Sequence, residues 1–167
     1  MKLSFDVPDK YGEDLQNTLQ TVIRETLKML KDADKVPDFG EKYYYIDING
    51  TVNWDNWEGS DLEKEMLVFD NIYKTKEEAE FALEQLKVLR ELKELADDDQ
   101  EWNGDNSHLH YYLEYSYYNN KVETNWNNNY CKGTFYFKSV ESAEAAIKQI
   151  GEYRLKKYFF MIPEDKI

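Results

Sequence analysis

Tyr73-Lys74-Thr75-Lys76-Glu77-Glu78-Ala79-Glu80-Phe81-Ala82-Leu83-Glu84-Gln85-Leu86 aligns without a gap with residues 137–150, Phe137-Lys138-Ser139-Val140-Glu141-Ser142-Ala143-Glu144-Ala145-Ala146-Ile147-Lys148-Gln149-Ile150. Six of the 14 positions are identical, and four more exchange close relatives: Tyr for Phe, Thr for Ser, and Leu for Ile twice. Self-similarity of this kind marks a duplicated structural unit. In the first copy Thr75 caps the free amides of a helix, and Glu78, three residues on, completes a capping box. In the second copy Ser139 caps, and Ser142 stands where the glutamate would be, which leaves that box incomplete on this reading. Ala79, Ala82, Leu83, Leu86, Leu89 and Leu92 fall on one helical stripe, and Ala143, Ala146, Ile147 and Ile150 form its counterpart. The small alanines imply that each helix lies close against a sheet.

Upstream of each copy runs a hairpin. Tyr43-Tyr44-Tyr45-Ile46-Asp47-Ile48 turns at Asn49-Gly50, two residues that tolerate positive φ, and returns through Thr51-Val52-Asn53-Trp54. The second hairpin runs from Tyr111 to Tyr118, turns at Asn119-Asn120, and returns from Lys121 to Trp126. A further short strand joins each hairpin to its helix. Before the duplication, the alternation of Leu3, Phe5 and Val7 predicts a strand that ends at Pro8. Leu15, Leu19, Val22, Ile23, Leu27 and Leu30 then predict an amphipathic helix over residues 13–31. Val36-Pro37-Asp38-Phe39-Gly40 has the composition of a linker. The expected fold class is α+β: an N-terminal strand and helix, then two repeated hairpin–strand–helix units, an antiparallel sheet with helices packed on one face. The corresponding segments are 1–40, a strongly acidic first unit over 41–105, and a near-neutral second unit over 106–167.

With 167 residues, 41% of them hydrophobic and 16% aromatic, the chain has the material for a core and is no acidic disordered tail. One cysteine, Cys131, excludes an internal disulfide framework and suits a reducing compartment. No run approaches the roughly 18 apolar residues that a membrane helix needs, and Met1-Lys2-Leu3-Ser4-Phe5-Asp6 does not read as a signal peptide. The expected location is therefore the cytoplasm of a bacterial host cell. The net charge of -13 is uneven: residues 41–106 hold 19 acidic side chains against 7 basic, while the flanking segments nearly balance. Such a field repels nucleic acid and anionic membranes and speeds encounter with basic partners.

Reactive constellations are scarce. His108 and His110, near Asp105 and Glu114, have strand spacing for a metal but lack further His or Cys ligands. The run from Asp99 to Gly104 begins like a calcium loop, yet its twelfth position is His110 where a glutamate is required. No phosphate loop, nucleophile elbow or paired-cysteine pattern is present. No catalytic residue, metal or cofactor is assigned, and the chain is read as a binding protein, not an enzyme.

The acidic excess separates into two clusters. The helix from about Lys76 to Ala96 has ordinary polarity, with glutamates in its first turn and Lys87, Arg90 and Lys93 toward its end. One cluster holds Asp55, Glu58, Asp61, Glu63 and Glu65, read as a loop, with only Lys64 against them. The other holds Asp97, Asp98, Asp99, Glu101 and Asp105. Three aspartates after a helix C-terminus face its negative end, at a cost on the order of a few tenths to 1 kcal/mol per charge. Two readings stay open: a solubilising loop, or a docking face for a cationic partner. Trp57 and Trp102 accompany the clusters, and exposed aromatics beside carboxylates suit docking onto arginines. Trp54, within its strand, is expected to fill the core.

The run from Tyr43 to Ala96 carries Tyr44-Tyr45-Ile46-Asp47 with Asn49-Gly50, the acidic Trp-containing segment, and Asn71-Ile72-Tyr73-Lys74-Thr75-Lys76-Glu77-Glu78-Ala79. It resembles a recurrent, uncharacterised domain of phages and prophages of low-GC Gram-positive bacteria. By analogy with small acidic phage proteins of the anti-CRISPR and other anti-defence kinds, the resemblance implies an inhibitor that mimics nucleic acid. Its partner would be a basic host protein or ribonucleoprotein effector, bound through the two acidic clusters. Two other expectations stand beside it: a phage component that self-assembles through its Tyr-rich strand edges, and a single-stranded nucleic-acid binder that stacks bases on Tyr111, Tyr112, Tyr115, Tyr117 and Trp126.

Overall fold

The computed structural model describes residues 36–96, 109–128, 131 and 133–167. The strand expected at residues 2–7 and the helix expected at residues 13–31 lie outside the described residues. The fold is α+β. In chain order it comprises β1 (Lys42–Ile46), β2 (Val52–Asn56), α1 (Asp61–Val68), α2 (Lys76–Leu95), β3 (His110–Ser116), β4 (Lys121–Asn127) and α3 (Val140–Ile150). A short helix α4 (Glu152–Arg154) runs on into a wide π-type turn, Leu155–Phe159, and a 3₁₀ turn, Glu164–Lys166, ends the chain. The strands form two separate two-stranded antiparallel sheets, β1–β2 and β3–β4. The chain divides into two compact units, Met1–Ala79 and Glu80–Ile167, and the division falls within α2.

The duplication is visible in the backbone. Tyr44 lies opposite Trp54 in the first hairpin, as Tyr111 lies opposite Trp126 in the second. The expected third strand is reduced in each copy to a single antiparallel bridge, Tyr44 with Tyr73 and Tyr111 with Phe137. In both bridges each residue's N–H donates to the other's carbonyl. The first turn is held by Asp47, whose carboxylate accepts from the Asn49 and Thr51 N–H groups at 2.8 and 2.9 Å and from the Asn53 amide at 2.8 Å. Those donors, foremost the Thr51 N–H, outweigh desolvation and hold the Asp47 carboxyl below its usual range.

The helix starts behave as capping chemistry requires, with one correction. Thr75 Oγ1 accepts from the Glu78 N–H, and the Glu78 carboxylate accepts from the Thr75 N–H, both at 3.2 Å. The second box is complete as well. Ser142 Oγ accepts from the Ser139 N–H, Ser139 Oγ accepts from the Ser142 N–H, and the Ser142 hydroxyl donates to the Ser139 carbonyl. A hydroxyl both donates and accepts, so serine closes a box that the glutamate-based rule leaves open.

Two further expectations are corrected. The supposed linker at residues 36–40 is a pinned turn: the Gly40 N–H donates to the Trp57 carbonyl and the Glu41 N–H to the Asp38 carbonyl, each at 2.8 Å. The buried stripe of α2 keeps Ala79 and Leu92 but differs from the expected one between them. Leu86 is 56% exposed and Leu89 is also exposed, whereas Val88 and Leu92 are fully buried. Val88 and Leu92 belong to the core of the second unit, with Leu113, Val122, Phe137, Ala143, Ala146, Ile150 and Leu155. The same side of α2 carries Phe81, whose ring lies 5.1 Å from that of Tyr158, and Gln85, whose amide donates to the Tyr158 carbonyl. Arg154 forks onto both oxygens of Glu91 at 2.9 and 3.0 Å and reaches Glu84 at 3.4 Å. The expected stripe holds at Ala79 and Leu92 and fails at Leu86 and Leu89, because the C-terminal part of a 20-residue helix answers to the second unit's apolar surface.

Urea unfolding separates the two stripes. Val88→Ala, at a position outside the expected stripe, should cost about 1.5–3 kcal/mol, and Leu86→Ala less than about 1 kcal/mol. The reverse order would restore the stripe read from the alanines.

Candidate binding surface

The acidic segment after β2 is not the loop that the sequence suggested. Ser60-Asp61-Leu62-Glu63 starts α1: Ser60 Oγ accepts from the Glu63 N–H at 3.3 Å, and the Glu63 carboxylate accepts from the Ser60 N–H at 2.7 Å. Glu63 also accepts from the Glu58 N–H at 3.1 Å and from the Tyr43 hydroxyl. It is 6% exposed. Burial works against its charge, but the Ser60, Glu58 and Tyr43 donors prevail and hold the carboxyl below its usual range. Tyr43 in turn is raised, first by burial and then by the Glu63 and Asp55 charges. Glu63 is thus an internal cap and leaves the set of docking residues.

Trp57 leaves it too. It is 7% exposed, with its ring edge-on to Tyr43 at 5.9 Å. Strand alternation explains the exchange with Trp54. Residues 43, 55 and 57 share one face of the hairpin, the face that Glu63 closes, while Trp54 stands on the other. Trp54 is 58% exposed, and Lys42 Nζ lies 4.2 Å above its ring and 4.8 Å from that of Tyr44. The exposed aromatic of this hairpin is therefore Trp54, on the face opposite Asp55; the three-residue loop 48–50 sets this parity, and a two-residue Asn49-Gly50 turn would reverse it.

The remaining members of this cluster stay outside. Asp61 pairs with Lys64 at 3.1 Å, at the surface. Asp55, Glu58 and Glu65 are exposed and form no ion pair among the described residues. Leu62, Val68 and Phe69 are exposed on and just after α1. Asp97, Asp98, Asp99, Glu101, Trp102 and Asp105, with His108, lie outside the described residues. Among the described residues no group of His, Cys, Asp or Glu is placed to hold a metal, and no helix is long and apolar enough to cross a membrane.

The five aromatics considered for base stacking do not form one platform. Tyr111, Tyr115 and Trp126 share the core-facing side of the second hairpin, Tyr112 lies on the other side near Tyr136, and Tyr117 stands in the exposed turn. No protein-family model, curated protein or solved structure matches the chain.

The Glu63 cap sets a pH dependence. Its folded-state carboxyl lies below the unfolded value, so the stability it contributes is present above the unfolded value, near pH 4–5, and is lost as pH falls through the folded one. Wild-type unfolding midpoints should fall on acidification over that window, and Glu63→Gln should flatten the fall. Glu63→Ala, which leaves the Ser60 and Glu58 N–H groups without their acceptor, should cost about 1–3 kcal/mol at neutral pH. A Glu63→Gln curve parallel to wild type would mean that Glu63 is not the titrating cap.

Proposed function

We propose that the protein is a stoichiometric inhibitor that acts by binding, and that its first unit presents an acidic face to the cationic nucleic-acid site of a basic protein or ribonucleoprotein effector. The observation that carries this reading is the division of labour among five neighbouring carboxylates. Folding consumes Glu63 and a local lysine offsets Asp61, but Asp55, Glu58 and Glu65 are exposed and form no ion pair among the described residues. A net charge of -13, concentrated in the middle of the chain, would steer such a partner toward this face. Trp54 adds an exposed ring that guanidinium groups stack on. The aspartates at 97–99 extend the same reading by sequence. The resemblance to a phage domain fits a partner among host nucleases that defend against foreign DNA.

The test is Asp55→Lys/Glu58→Lys/Glu65→Lys. The three changes are at exposed positions, so stability should move by no more than about 0.5 kcal/mol per site. In a pull-down from bacterial lysate, wild type should capture a nucleic-acid-binding protein that double-stranded DNA releases. The triple variant should not capture it, and raising the salt from about 0.1 M to about 1 M should abolish capture by wild type as well. Capture that survives charge reversal, or that DNA does not compete, would end the inhibitor reading.

A further inference from the structure

Each hairpin has one strand at a sheet edge, and the two edges are treated differently. The Asp47 N–H bonds the Thr51 carbonyl and the Trp57 N–H bonds the Glu41 carbonyl, so residues 51, 53, 55 and 57 turn their backbone groups toward β1. Val52, Trp54 and Asn56 turn theirs outward. The far side of β1 is closed by the Tyr73 bridge and by Asn71, whose side chain accepts from the Ile46 N–H at 2.9 Å and donates to the Ile46 carbonyl at 2.8 Å.

In the second unit the outward positions of β4 are 122, 124 and 126, of which 124 and 126 correspond to Val52 and Trp54. There the Val122 N–H is taken by the Glu152 carboxylate at 3.2 Å, and the Trp126 N–H by Asn125 Oδ1 at 2.8 Å. Glu152 is itself held by Lys156 at 3.0 Å, and Lys156 donates to the Asn120 carbonyl, which ties this guard to the hairpin turn. Such blocking is what proteins do to an exposed strand edge to stop it pairing. On β2 only the Asn56 N–H is answered, by Asp55 Oδ1 at 2.8 Å. The outward N–H groups of Val52 and Trp54 make no hydrogen bond among the described residues. The Thr124 N–H on β4 also makes no hydrogen bond among the described residues, but the outward N–H groups on either side of it are taken, whereas on β2 two successive outward N–H groups, those of Val52 and Trp54, are open among the described residues.

We propose that the open edge of β2 takes an extended cationic segment of the partner as an added strand. The Val52 and Trp54 main-chain groups form the pairing rail, Trp54 stacks on the incoming cations, and Asp55 and Glu58 select for positive charge. The inference rests on the acidic-face reading and adds the mode of recognition to it. Strand addition draws affinity from backbone hydrogen bonds and specificity from alternate side chains. A second copy of this chain is the poorer occupant, because it brings its own excess of 13 negative charges to the same edge. Lys42 already sits over the Trp54 ring, the position that an incoming arginine takes from the open side.

The test uses the full chain and a synthetic peptide of about ten residues alternating Arg and Val, with the same peptide methylated on every backbone nitrogen as its control. The second peptide keeps the charge and loses the strand donors. Amide hydrogen exchange is read by NMR. Val52 and Trp54 should exchange fast in the free protein and slow roughly tenfold or more with the first peptide only, while the amides of β4 stay unchanged. Equal effects from both peptides, or no slowing with either, would overturn strand addition. So would slowing that grows with protein concentration in the absence of peptide, since a second copy would then fill the edge. Trp54→Pro removes one outward donor and leaves the bonds to β1 intact. In the lysate pull-down it should lose the partner while the Tyr43 and Tyr45 amides stay protected. If Trp54→Pro keeps a partner that the charge-reversed triple variant loses, strand addition fails and the acidic face survives. If the triple variant keeps the partner, the acidic-face reading fails. Should Trp54→Pro unfold the hairpin, the peptide pair decides.

Discussion

A two-stranded hairpin buries too little to hold its shape in water, and both hairpins of this protein meet that constraint with one device. A backbone bridge, Tyr44 to Tyr73 and Tyr111 to Phe137, fastens the far side of the hairpin to the residues just before a helix. Two residues further on, Thr75 or Ser139 caps that helix with a reciprocal box. Strand pairing, capping and the onset of the buried alanines Ala79 and Ala143 thus fall within about two turns of chain. That compactness is why the strongest internal similarity lies over residues 73–86 and 137–150: bridge, cap and first buried turn must all be kept together.

Local chemistry was legible wherever a side chain answers its own neighbourhood. The Thr75 cap and the α+β class followed from spacing alone, and so did the place of the first turn, but its loop is three residues long, Ile48-Asn49-Gly50, with only Gly50 at positive φ. What sequence spacing could not give was which residues face the core. Leu86 and Leu89 obey the helical period, yet they are exposed because α2 turns Val88 and Leu92 to a core assembled from residues beyond position 110. The error over Trp54 and Trp57 has the same root. Strand parity can be counted, but which face is closed depends on Glu63, which arrives from α1. Two local signals went unread: the Ser60-Asp61-Leu62-Glu63 capping box, hidden in a run taken for acidic loop, and the capacity of Ser142 to complete a box.

The Glu63 network also shows how charge must be sorted before it is given a role. A cluster of five carboxylates within eleven residues looks uniform in sequence. In the fold one of them is buried and answered by two backbone N–H groups and a phenol, with no cation involved. A buried carboxylate satisfied by N–H donors is a stability element, and its replacement disturbs folding before it disturbs binding. Asp55, Glu58 and Glu65 carry the opposite signature: exposed carboxylates with no ion pair among the described residues, and hence little effect on stability when changed. Only residues of that second kind are informative about an external ligand.

Duplication sharpens this distinction, because each unit serves as the other's reference. The two hairpins share the Tyr–Trp pair, the bridge and the cap, although the second has longer strands, so a difference at Trp54 and Trp126 is not demanded by the shared scaffold. Trp54 and Trp126 occupy equivalent positions and are about equally exposed, at 58% and 55%. On the edge beside Trp126 two of the outward N–H groups, those of Val122 and Trp126, are taken by Glu152 and Asn125, and Glu152 is held by the nearly buried Lys156. The fold therefore contains the means to protect a strand edge and applies them to the unit whose charge is near neutral. In the acidic unit the Val52 and Trp54 N–H groups make no hydrogen bond among the described residues. An unguarded edge exposes a protein to unwanted pairing, but surrounding like charge makes that risk selective: it repels other copies and anionic chains and admits cationic ones. Charge and open edge thus bear on the same property, which is discrimination among extended partners, and neither feature alone would provide it.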